Sequence, residues 1–150
     1  MGRRAKKTRI VGWIFLVIYI GVLLYFLFFS DVLFRHTLSE VRRANLTLFS
    51  EIRRFWVARE SIGWQTMAVN IFGNIAIFIP FGFLIPSISR HKTYTNFFAV
   101  TAMALMFSGL IEVIQVLTKV GRFDVDDILL NTIGAMCGYV IYAIVRLFRR

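Results

Sequence analysis

From Ile10 to Phe29 the chain runs twenty residues without a charge. Three more long apolar stretches follow, Thr66 to about Ser89, Thr95 to about Thr118, and about Asp127 to Leu147. A helix needs about 20 apolar residues to cross the hydrocarbon core of a bilayer. The pattern predicts an all-α polytopic membrane protein with four transmembrane helices. These stretches use most of the 150 residues, of which 58% are apolar, against about 45–50% in soluble domains. That leaves a basic tail at 1–9, expected to be unstructured, and a single membrane domain over 10–150. The first stretch is too long for a signal peptide and no small-residue cleavage site follows it, so it reads as a retained anchor.

The net charge of +10 raises the question of nucleic acid. Apolar runs separate the basic residues and leave no continuous basic face, so a nucleic-acid partner is not expected. Lys and Arg instead collect at cytoplasmic ends of membrane proteins. With four crossings, both termini and the turn Arg90-His91-Lys92 share one side. That side holds ten Lys and Arg and no acid, and five of the ten crowd just before the first crossing. Both termini are therefore expected in the cytoplasm. His36 and His91 have no neighbours at metal-ligand spacing, and the single Cys137 cannot form an internal disulfide, so no metal site is expected.

Residues 31–65 carry six arginines and four acids, too charged to span. Within them Leu48, Ile52, Phe55 and Trp56 recur at helical spacing, with Glu51, Arg53 and Arg54 off the stripe. This predicts an extracytoplasmic amphipathic helix, either lying in the membrane interface or packed on the end of the bundle. Pro80 removes one backbone hydrogen bond and is expected to bend or break the second crossing. Gly134 and Gly138 have the GxxxG spacing that lets helix backbones approach closely, and read as packing.

The polar residues of the crossings sort by depth. Asn70 and Asn74 share one face of the second helix, roughly 6 and 12 Å below its outer end. Ser108, Glu112 and Gln115 share one face of the third, with Glu112 roughly 9 Å below its end. Asp127 and Asn131 open the fourth, and the preceding loop adds Arg122, Asp124 and Asp126. Three polar faces and one acidic loop thus meet in the same half of the bilayer. Asn, Gln and Ser also serve as glue between helices, and one aspartate is expected to cap the fourth helix. An ionisable group such as Glu112 inside a membrane is a functional candidate by default, with Arg122 its nearest cation.

These residues fall in blocks that resemble the VanZ-like family of bacterial membrane proteins. The blocks are Asn70-Ile71-Phe72-Gly73-Asn74 with Phe78-Ile79-Pro80-Phe81-Gly82, then Ser108-Gly109-Leu110-Ile111-Glu112-Val113-Ile114-Gln115. The third runs Gly121-Arg122-Phe123-Asp124-Val125-Asp126-Asp127-Ile128-Leu129-Leu130-Asn131-Thr132-Ile133-Gly134. Upstream, Arg43-Ala44-Asn45-Leu46-Thr47-Leu48-Phe49 resembles the family's loop after the first crossing, although Thr47-Leu48 lacks the proline often found there. The resemblance implies a plasma-membrane protein of four or five crossings. It also implies a link to resistance against teicoplanin, the property for which the family is named. It implies no settled catalytic activity.

Three functions compete. The first is a non-catalytic binder of membrane lipid or a lipid-linked cell-wall precursor at the outer leaflet, using Asn70, Asn74, Ser108, Gln115, Arg122, Asp124, Asp126 and Asn131. The second is an enzyme on such a substrate, with Glu112 and Asp127 or Asp126 as acid–base groups, since interacting carboxylates can have their proton affinities pushed apart. In that case Arg122 would grip phosphate, and the aspartates could hold a divalent cation; no other cofactor is expected. The third is a small transporter or channel, disfavoured because the two halves of the chain do not resemble each other.

Overall fold

The computed structural model describes residues 3–34, 44–58, 63–89, 91 and 95–148. They form five helices: α1 (Arg3–Phe34), α2 (Ser50–Val57), α3 (Trp64–Ile88), α4 (Phe97–Leu117) and α5 (Val125–Phe148). His36, Arg90 and Lys92 lie outside the described residues, as does the side chain of Phe55. Helices α3, α4 and α5 are each long and apolar enough to cross a membrane, and α1 contains a shorter apolar helix over Arg9–Tyr25. At 1.5 Å per residue the 24 residues of α5 extend about 36 Å, enough for a core of about 30 Å.

Two sequence expectations need correction. The basic tail is not unstructured, because α1 already begins at Arg3. The run Arg3–Arg9 contains no Gly or Pro, and Lys and Arg are good helix formers, so the apolar helix extends backwards through it. Of the bend or break expected at Pro80, the break does not occur, since α3 runs unbroken from Trp64 to Ile88. The Tyr19 hydroxyl of α1 donates to the carbonyl of Ile77 at 2.8 Å, in the turn that the proline ring disturbs. A neighbouring helix thus supplies polar support where the proline weakens the ladder.

Helix α3 is the centre of the bundle and packs against α1, α4 and α5. Its closest partner is α5, and glycine sets the distance. A Cβ added to Gly82 would lie 1.9 Å from the Ala135 carbonyl oxygen, and one added to Gly134 or Gly138 would lie 2.0 Å from the oxygen of Ile75 or Ile79. The GxxxG motif therefore is a packing device, and its partner surface is α3 backbone. On its other side α3 packs Phe78 and Phe81 with Leu23, Ala104 and Ile111, and the ring of Phe107 stacks on Phe81 at 5.3 Å.

The outward faces are apolar. Phe98 is 81% exposed and Leu117 75%, with Val17, Phe72, Met106 and Phe148 likewise bare. An apolar exterior of this extent suits lipid and not water. The interior holds polar groups beside its apolar core: Ser108, Glu112, Gln115, Asp124, Asp126 and Asn131 are all inside.

Candidate functional site

The polar cluster is built where α4 ends and α5 begins. Helix α4 stops at Leu117, and Lys119 takes a left-handed φ of 58°. The N–H groups of Val120 and Gly121 both donate to the Gln115 carbonyl, at 3.0 and 3.1 Å, which closes the helix end in the manner of a left-handed C-terminal cap. That turn sends the chain back over Glu112. The carboxylate Oε2 of Glu112 accepts the backbone N–H of Asp124 at 2.9 Å.

Asp124 is the hub. Its Oδ1 accepts the N–H of Asp126 at 2.9 Å, the N-terminal cap expected of one aspartate in this loop. The same oxygen accepts Asn45 Nδ2 at 2.9 Å, and Oδ2 pairs with Arg122 at 2.9 Å. Asn45 also makes a short parallel bridge with Asp124: its N–H donates to the Phe123 carbonyl at 2.8 Å, and its own carbonyl accepts from Val125 at 3.2 Å. The neighbouring strap is held by Asp126, whose Oδ1 accepts the N–H of Phe49 at 2.5 Å. Phe49 adopts a left-handed φ of 64° just before α2, a costly conformation for a bulky residue. The bond to Asp126 helps fix it.

Glu112, Asp124 and Asp126 are 3%, 2% and 1% exposed. Burial of carboxylates at this level is stable only where donors meet them. Here most of the donors are backbone amides and an amide side chain. Asp127 is engaged from another side, its Oδ1 accepting Asn74 Nδ2 of α3 at 2.6 Å. Each acid is thus gripped by a different part of the chain.

Deeper in the bundle, Asn131 Nδ2 donates to Ser108 Oγ at 2.9 Å. The other end of this amide, Oδ1, is buried and has no hydrogen-bond partner. Turning the amide over would only exchange the two atoms and leave the amino group in the same place.

Of the residues singled out by sequence, Glu112, Arg122, Asp124 and Asp126 come together in one cluster. Asn74 joins Asp127, and Ser108 joins Asn131. Gln115 is buried beside them and contributes its carbonyl to the loop. Asn70 lies one turn beyond Asn74 and is exposed. Sequence reasoning missed Asn45 as a cluster member. Its local signature is an Asx turn, in which Oδ1 accepts the N–H of Thr47 at 3.2 Å. Among the described residues, no group of three or more His, Cys, Asp and Glu side chains is arranged to hold a metal ion.

No solved structure matches the chain. The Protein VanZ of Enterococcus faecium is 31% identical over 103 residues, which is 69% of this chain and 54% of the relative. The match thus spans about half the length of that relative. The sequence profile of the VanZ/LLP1 family matches residues 15–146 and takes in the whole of the site. With a family match over nearly the full chain and a relative above 30% identity, this multi-pass membrane protein belongs to the VanZ/LLP1 family.

Proposed function

We propose that the acidic end of the bundle binds the headgroup of a lipid or lipid-linked cell-envelope precursor at the extracytoplasmic face. In this reading α1 completes four crossings and both termini lie in the cytoplasm. Helix α2 touches α3 and α5 and also lies in the interface. Leu48, just before α2, and Trp56, within it, are exposed, which leaves apolar surface for lipid.

The observation that carries the proposal is the unpartnered Asn131 Oδ1, buried one layer beneath the carboxylate cluster. An unsatisfied buried acceptor costs about 1–3 kcal/mol. A donor from a ligand, or a water held with it, removes that cost. The bond to Ser108 accounts for the amino group of Asn131 as glue between helices, and leaves the oxygen unexplained. The test is to identify lipids that co-purify with the wild type and with Asn131→Leu. A lipid retained by the wild type and lost from an equally stable variant supports the binding site. Equal retention by both removes Asn131 from it.

A second reading is a membrane-embedded enzyme in which Glu112 and Asp126 or Asp127 move protons on the same headgroup. It is favoured by the buried carboxyl groups of Glu112 on α4, Asp124 in the following loop and Asp126 in the first turn of α5. It ranks second because Glu112 Oε2 and Asp126 Oδ1 already hold backbone amides. Turnover of the retained lipid by the wild type distinguishes the two. The likeness to Protein VanZ extends the proposal to tolerance of a teicoplanin-type glycopeptide, checked by expressing the chain in a sensitive bacterium.

A further inference from the structure

The opposite end of the bundle holds a second candidate site, independent of the first. A cleft of about 240 Å³ is lined by Tyr139, Tyr142, Ala143, Arg146 and Leu147. Four of these fall at i, i+3, i+4 and i+7, along one face of α5. The aromatic wall is fixed from outside. The Tyr139 hydroxyl donates to the Thr95 carbonyl at 3.1 Å, and its ring meets Phe97 edge-on at 5.5 Å. The Tyr142 ring is set between Tyr139 at 5.8 Å and Phe83 of α3 at 6.4 Å.

The polar groups of the cleft are unspent. Among the described residues neither the Tyr142 hydroxyl nor the Arg146 guanidinium has a hydrogen bond or ion pair. The nearest acid along α5 is Asp127, nineteen positions away, about 28 Å at helical rise. Among the described residues no acid lies at this end. Helix α4 begins at this same end, at Phe97, and its N-terminal dipole adds positive potential.

We propose that this cleft seats an anionic phospholipid, with its phosphate on Arg146 and the Tyr142 hydroxyl and the start of an acyl chain along Tyr139, Ala143 and Leu147. The fork of a guanidinium matches phosphate oxygens in pairs. The hydroxyl adds a second donor from a ring that cannot swing away. Charge complementarity selects the anionic class, because the basic residues of this end have no acid among them.

The test uses the full chain in nanodiscs of phosphatidylcholine, titrated with phosphatidylglycerol and read by native mass spectrometry. The variants are Arg146→Gln, Tyr142→Phe and, as a control of equal charge, Arg4→Gln in the first turn of α1. A general electrostatic attraction is weakened to about the same degree by either arginine change, on the order of fivefold each. A seated phosphate is weakened by Arg146→Gln by about tenfold or more, beyond the effect of Arg4→Gln. It is also weakened severalfold by Tyr142→Phe, which changes no charge. Equal effects of the two arginine changes, or no effect of Tyr142→Phe, would overturn the site. Phosphatidylcholine binding as tightly as phosphatidylglycerol would overturn the anionic choice. None of these results depends on a ligand at the acidic end.

Discussion

The α3–α5 seam and the acidic end are both buried, and they are held by opposite means. Along the seam, Gly82, Gly134 and Gly138 let two backbones touch, and shape alone fixes the distance. In lipid the hydrophobic effect does not drive helices together, so close van der Waals contact must. At the acidic end hardly any of the contact is made by shape. Glu112, Asp124, Asp126 and Asp127 fasten a loop, a strap and α3 through hydrogen bonds. A seam of that kind has one function, which is to stay shut. A polar end carries more ionisable groups than closure needs, and it leaves Asn131 Oδ1 unmatched.

The largest effect is expected from the seam. Gly82→Ala places a methyl against the Ala135 carbonyl, a backbone atom that cannot turn aside. Overpacking costs about 1–3 kcal/mol when neighbours can shift, and Gly82→Val should exceed that and deplete folded protein. Gly109→Ala has open space around its new methyl, and should leave the melting temperature in detergent unchanged or slightly raised. Equal losses at the two positions would show that helix propensity, and not close approach, is being measured.

Next is the hub. Asp124→Ala strips partners from Asn45, Arg122 and the Asp126 amide at once, and should cost about 3 kcal/mol. Asn45→Ala removes a smaller share, about 1 kcal/mol. Its effect should shrink in the Asp124→Ala background to what the bond to the Thr47 amide is worth, which a double-mutant cycle in detergent would report. Full additivity would separate the strap from the hub.

The smallest structural effect, with the largest consequence for placement, comes from labelling. Leu46, Lys119 and His91 are exposed. Cysteines at 46 and 119 should react with an impermeant reagent from outside the cell, and at 91 only after the membrane is opened. The reverse pattern would move the acidic end to the cytoplasm.

Much of the fold was legible because each crossing declares itself locally. The apolar runs placed α3, α4 and α5 within about two residues of their ends, and the i, i+4, i+7 spacing put Ser108, Glu112 and Gln115 on one buried face. Partnership was less legible. The GxxxG pair marked a packing surface, but nothing near Gly134 says that it meets Ile75. Asn45 and Asp124 are 79 positions apart, and only the returning α4–α5 loop brings them together. Asn70 shows the opposite limit. Its helical spacing matches Asn74, yet one turn is enough to leave it exposed where Asn74 is half-buried. The support of α3 near Pro80 likewise comes from a distant residue, Tyr19, 58 positions from Ile77.

The most direct test of binding at the acidic end is Glu112→Gln. Gln keeps an oxygen for the Asp124 amide and nearly the shape of the side chain; it removes the charge and turns the second acceptor oxygen into a donor. Wild type and Glu112→Gln should be purified side by side, with bound lipids quantified by mass spectrometry and unfolding followed on the same samples. Binding through the buried carboxylate requires the variant to unfold at the wild-type temperature while its retained lipid falls by about tenfold, the scale of one lost charge-assisted hydrogen bond. Undiminished lipid on an equally stable variant would contradict it, and would leave Glu112 as a fastening for the α4–α5 loop.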